Sequence, residues 1–125
     1  MTSDNRELEF LDRAASEAIP VPGALEIRRQ DHANTLRFTV RGELDLVSAP
    51  TLERALHEVD LNRVVCVEID LSELAFMDSS GIVVLVRAQE DAHARQHRLV
   101  LRRGPHQVQK LFEMTGLLGR FTFED

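Results

Sequence analysis

The spacing of apolar residues changes repeatedly along this chain, and that alternation constrains the fold more than any single motif. Leu36, Phe38 and Val40 alternate with Arg37, Thr39 and Arg41, the two-residue period of a strand with one buried and one wet face. Leu25 and Ile27 alternate more weakly before the turn-like Asp31-His32-Ala33-Asn34, so the two stretches read as a hairpin. Ser48-Ala49-Pro50 then opens a helix with the stripe Leu52, Ala55, Leu56 and Val59. Val64 to Leu71 is strand-like, Ile82 onward is helical to the stretch Ala94–His97, and Arg98 to Arg102 is a short strand. Gly104-Pro105 starts another helix with Val108, Leu111 and Phe112 inward and Gly116 as its stop, and Phe121-Thr122-Phe123 can close the sheet. A hairpin followed by three helix–strand units predicts a single α/β domain over residues 24–125, with a mixed sheet of about five strands and helices mainly on one face.

Residues 1–23 stand apart as a helical extension and linker. Leu8, Leu11, Ala15 and Ala18 recur at helical spacing, Ser3 or Asp4 can cap the start, and Pro20-Val21-Pro22-Gly23 ends the helix. Because Val64 and Cys66 point away from Val65, Val67 and Ile69, a second sheet face needs cover. The extension is the candidate for that role.

The chemistry concentrates in Phe76-Met77-Asp78-Ser79-Ser80-Gly81-Ile82, at a predicted strand-to-helix turn. In open α/β sheets, ligand and partner sites form outside the carboxyl ends of the strands. A hydrolase nucleophile is not the reading, because the serine of such an elbow sits between glycines and here Met77 and Asp78 precede. The five histidines fall in loops or on polar faces, so no triad is in prospect and the chain is not expected to be an enzyme. Capping by Ser79 or Ser80 explains part of the motif. The chemistry also permits a phosphorylation switch, which spacing alone does not establish: a helix N-terminus tolerates a phosphate whose charge, beside Asp78, would repel a docked partner.

Other sites are excluded on similar grounds. The net charge of −6 argues against direct nucleic-acid binding. The single cysteine, Cys66, reads as a small buried hydrophobe. His93 and His97 stand four apart but lack a zincin glutamate and a third ligand, so no metal is expected. Arg102-Arg103-Gly104-Pro105-His106 reads as an ordinary basic loop, and no phosphate-binding or dinucleotide fingerprint calls for a cofactor. With no signal peptide and no apolar span, the expectation is a soluble cytoplasmic protein without membrane contact.

Four blocks together resemble a known family. Gly42-Glu43-Leu44-Asp45, then Ala49-Pro50, then Asp70-Leu71-Ser72 with the Phe76–Gly81 run, then Leu111-Phe112-Glu113-Met114-Thr115-Gly116-Leu117, are similar to the STAS domain and more closely to bacterial anti-sigma factor antagonists. The resemblance implies partner switching. The unphosphorylated antagonist binds an anti-sigma factor, which frees a sigma factor. The anti-sigma factor is also a serine kinase whose phosphorylation of the antagonist breaks the complex, and a serine phosphatase restores it. The family's phosphorylated serine maps onto Ser79, Asp78 matches the adjacent acidic position, and Asp45 matches the aspartate of the Gly42-Glu43-Leu44-Asp45 loop, which lies near the switch turn in that fold. Gly42, Glu43, Ser80 and Gly81 complete the implied switch-turn and partner-binding set, with Gly81 expected to let the turn approach the partner closely. ATP and magnesium would belong to the kinase, leaving this chain without a cofactor. The second reading is a non-switching STAS adaptor, for example in a membrane-lipid transport complex. Two departures stand out: many relatives carry one more C-terminal helix, and the extension at residues 2–19 lies outside the family pattern.

Overall fold

Strand β1 (Leu25–His32) turns back on β2 (Thr35–Leu44) to form the hairpin, and the two pair antiparallel from Leu25↔Gly42 to His32↔Thr35. The structure, a computed structural model, describes residues 24–59 and 64–125. The predicted extension and linker lie outside the described residues. The chain continues through α1 (Ala49–His57), β3 (Cys66–Met77), α2 (Ser79–Arg95), β4 (Arg98–Arg102), α3 (His106–Met114), a short 3-10 turn (Leu118–Arg120) and β5 (Thr122–Glu124). The sheet order is β1-β2-β3-β4-β5, with β2 to β5 parallel. Each crossover advances to the next strand in the same direction, so the right-handed rule puts α1, α2 and α3 on one face.

The core lies between that helical layer and the sheet. Phe38, Val40, Ile69, Leu71 and Leu101 point into it from the strands, and Leu52, Leu85, Val108 and Phe112 meet them from the helices. Phe112 packs edge-on against Phe121 and Phe123 at ring distances of 5.3 and 5.1 Å, which seats α3 on the end of the chain.

Three local differences from the sequence reading have physical causes. Strand β3 runs to Met77 rather than stopping near Leu71, because the long β2 continues to pair with it as far as Leu44↔Met77. The two-residue alternation breaks where Ser72 and Glu73 are both exposed, and register shifts lie between Thr39 and Arg41 and between Gly42 and Glu43. The face opposite the helices is not the apolar surface that Val64 and Cys66 suggested. It carries an ion-pair chain in which Glu68 meets Arg37 and Arg102, both at 3.4 Å, and Arg102 also reaches Asp70 at 3.9 Å. Finally, Ser48 stands at the N-cap of α1, yet its side chain makes no cap bond and is used elsewhere.

Gly42 is the backbone requirement of this frame. It sits at φ +107°, a conformation that L side chains rarely adopt, and an added Cβ would run into the Ala24 carbonyl. Gly42→Ala is therefore expected to destabilise the domain by about 1–3 kcal/mol, read as a lower urea midpoint at unchanged slope.

Candidate functional site

The carboxyl ends of β2, β3 and β4 all face one edge of the sheet, and the turns that leave them carry the candidate residues. The end of β3 is tied to the end of β2 by a hydrogen bond from the Asp78 N–H to the Leu44 carbonyl, at 3.1 Å. The Asp45 loop and the Asp78-Ser79-Ser80 turn are thereby adjacent.

Helix α2 begins at Ser79, and its cap is Asp78 rather than either serine. Asp78 has extended backbone geometry (φ −113°, ψ −172°), and its Oδ1 accepts from the Ser80 N–H at 2.8 Å. An ionised carboxylate at this position also meets the positive end of the helix dipole, so it caps better than a hydroxyl. Ser79 is released from that task. It is exposed at the first helical position, and its hydroxyl makes no hydrogen bond among the described residues. Ser80 is half-buried on the second position.

Gly81 is buried and faces inward. A Cβ there would lie 2.7 Å from Met77 Cγ and 2.8 Å from Leu44 Cγ. The close approach it permits is that of α2 to the ends of β2 and β3, not of a partner to the turn. Gly42 likewise serves backbone geometry, half-buried between β1 and β3.

Asp45 and Ser48 hold the neighbouring loop. Asp45 Oδ1 accepts from the N–H groups of Val47 (3.0 Å) and Ser48 (3.1 Å). Ser48 Oγ donates to the Glu43 carbonyl at 2.6 Å and accepts from the Asp45 N–H at 3.0 Å. This is a closed turn of the kind short polar side chains build. Glu43 is buried beside it, and its pKa is raised, first by burial and then by the Asp45 charge.

The rigid loop displays apolar side chains. Leu46 and Val47 are 76% and 71% exposed, Phe76 is 42% exposed just before the cap, and Val83, one helical turn after Ser79, is 46% exposed. Large apolar groups gathered on one edge mark an interaction surface more than scattered ones do. The sequence reading missed these residues and the role of Ser48. The available signal was Leu46-Val47 itself, an apolar pair in a segment belonging to neither strand nor helix.

The remaining candidates are engaged or dispersed. Arg103 pairs with Asp125 at 2.7 Å and lies over the Phe123 ring, and Arg102 belongs to the ion-pair chain. Among the described residues, no three His, Cys, Asp or Glu side chains gather as a metal would require, and no helix is long and apolar enough to cross a membrane.

Comparison with known proteins points the same way. Residues 27–122 match the family model described as "Mlab, STAS domain". The chain is 35% identical over 94 residues to an anti-sigma-B factor antagonist of Listeria monocytogenes, covering 75% of this chain and 82% of that one. Its fold is similar to the crystal structure of an anti-sigma factor antagonist from Mycobacterium paratuberculosis, with a TM-score of 0.75, 26% identity and coverage of 84% and 89%. The antagonist SpoIIAA in its unphosphorylated form shares the fold at a TM-score of 0.67 and 21% identity, with coverage of 82% and 89%.

Two outcomes follow from the geometry. Asp78→Ala should cost about 0.5–2 kcal/mol through loss of the cap, whereas Ser79→Ala should stay within about 0.5 kcal/mol of wild type. Parallel denaturant melts compare them. For Glu43, a folded-state pKa above its ordinary 4.5 means that ionisation opposes folding. The penalty is absent below pH 4.5 and grows as pH rises through the raised value. Glu43→Gln should therefore raise the melting temperature relative to wild type at pH 7, and the gain should vanish in melts below pH 4.5.

Proposed function

The chain belongs to the STAS domain family of anti-sigma factor antagonists, and on that premise we propose that it is a partner-switching antagonist controlled at Ser79. The observation that carries the reading is an exposed serine hydroxyl, relieved of capping by Asp78, on an edge flanked by Leu46, Val47, Phe76 and Val83.

In the unphosphorylated state this edge docks on an anti-sigma factor that is also a serine kinase. Burying a large apolar side chain contributes about 1.5–3 kcal/mol at most, so four partly exposed ones supply a modest but sufficient driving force. Phosphorylation transfers the γ-phosphoryl group of ATP to Ser79 Oγ, breaking the bond to the β,γ-bridging oxygen so that ADP leaves, with the hydroxyl proton passing to a base on the kinase. ATP and magnesium are the partner's. The product bears a charge of about −1.5 to −2 at neutral pH. At the first turn of α2 the phosphate meets the helix dipole and the free Ser79 N–H, so the fold has little reason to change. At the interface, desolvating such a group costs several kcal/mol unless the partner supplies matching charge. That cost is of the same order as what the apolar contacts return and so offsets most of the driving force, and Asp78 adds like-charge repulsion. Hydrolysis by a serine phosphatase regenerates the docking surface. The protein's part in this cytoplasmic cycle is kinase substrate and binding module.

Incubation with the cognate anti-sigma kinase and ATP, followed by mass spectrometry, tests the assignment. One phosphate on wild type and none on Ser79→Ala is expected; incorporation into Ser79→Ala would move the site to Ser80. Ser79→Asp should weaken kinase binding about tenfold or more, or at least 1.4 kcal/mol, at nearly unchanged stability. The family description also names Mlab, which keeps a fixed adaptor as the second reading. Binding without phosphate uptake by wild type would favour it.

A further inference from the structure

Between the carboxyl-terminal parts of α1 and α2 the helical layer leaves a cleft of about 50 Å³. It lies where β3 and β4 begin, at the opposite edge of the sheet from the Ser79 turn. Asp91 on its wall is about 18 Å along α2 from Ser79. Protein interiors are close-packed and hold few voids larger than a water. A single water needs about 10–15 Å³, so this space accepts several water-sized groups. Val59, Val67, Val84 and Leu99 line it, and Ala88 is too short to fill it.

One polar atom at the wall is left without a partner. His97 leads from α2 into β4, and its Nδ1 is shut off from water with no hydrogen bond among the described residues. Such atoms are rare, because desolvating a polar group is costly unless a new partner replaces the water. Burial is the main reason that the His97 pKa lies below its ordinary 6.5, so the ring is neutral at pH 7. A neutral imidazole presents one donor and one acceptor, and a hydroxyl can answer either.

The charges around the mouth are already matched. Glu53 on α1 meets Arg87 on α2 at 3.2 Å, and Asp91 meets Arg95 at 2.9 Å. An ionic ligand would compete with these pairs, whereas a neutral one leaves both in place. The walls call for an apolar body and the imidazole for one hydrogen-bonding group.

We propose that this cleft binds a small neutral hydroxyl compound with an apolar ring, seated against Val67, Val84 and Leu99 with its hydroxyl on His97 Nδ1. Water alone would satisfy the imidazole but leave the apolar walls hydrated. The site is separate from the Ser79 edge and needs no phosphorylation there.

The test is an NMR titration of the full-length 15N-labelled chain at pH 7 with phenol, toluene and benzoate. Phenol should bind saturably, moving the His97 Nδ1 resonance and the amides of Val84, Ala88 and Leu99 while those of Leu46 and Ser79 stay in place. Benzoate should bind more weakly than phenol. His97→Leu should weaken phenol about fivefold, the worth of one neutral hydrogen bond, and leave toluene nearly unchanged. Ala88→Leu, which fills the cleft, should abolish binding of both. The His97 Nδ1 resonance of the unmutated chain reads the contact without any substitution. An unmoved Nδ1, benzoate binding as tightly as phenol, or no saturable shift, which would mean that the cleft holds water only, would each overturn the proposal.

Discussion

Strands β2 to β5 run parallel and in sequence order, and most of what this molecule does depends on that constraint. Parallel neighbours can be joined only by crossovers, crossovers of one hand stack their helices on one face, and every strand-to-helix turn then emerges at one edge. The exposed Ser79, the rigid Asp45 loop and the exposed apolar residues are brought together by topology before any specific contact is considered. The Asp78 to Leu44 hydrogen bond fastens the two critical turns to each other.

Division of labour among neighbouring polar residues follows from this placement. Asp78 takes the capping role, and Asp45 with Ser48 takes the loop-closing role. Ser79 is left with neither. A residue that holds nothing together can be modified without cost to the fold, and that is what a reversible switch requires. Gly81 adds to the arrangement from beneath, by letting α2 sit close on Met77 and Leu44 and so fixing the height of the turn above the sheet.

The two faces of the sheet are treated differently. The helical face is apolar and close-packed, as a conventional core is. The other is organised by charges, with Glu68 shared between Arg37 and Arg102. Ion pairs of partly exposed groups contribute little stability on their own, so this face is a charge-ordered surface rather than a second core.

The sequence by itself determined the order and type of nearly every element. Alternation at Leu36, Phe38 and Val40 and the stripe at Leu52, Leu56 and Val59 report local periodicity, which survives folding. The four motif blocks are equally legible, because each is a local run of residues that marks the family without reference to the fold. What only the tertiary structure decided concerns relations between distant segments. The true length of β3 depends on β2 pairing beside it, and the inward role of Gly81 depends on Leu44, far away in the chain. The choice of Asp78 over two serines as the cap depends on where the strand hands over to the helix, which is set by the bond to Leu44. Exposure of Leu46, Val47 and Val83 was hidden for the same reason: an apolar side chain looks alike in a sequence whether the fold buries it or offers it to a partner.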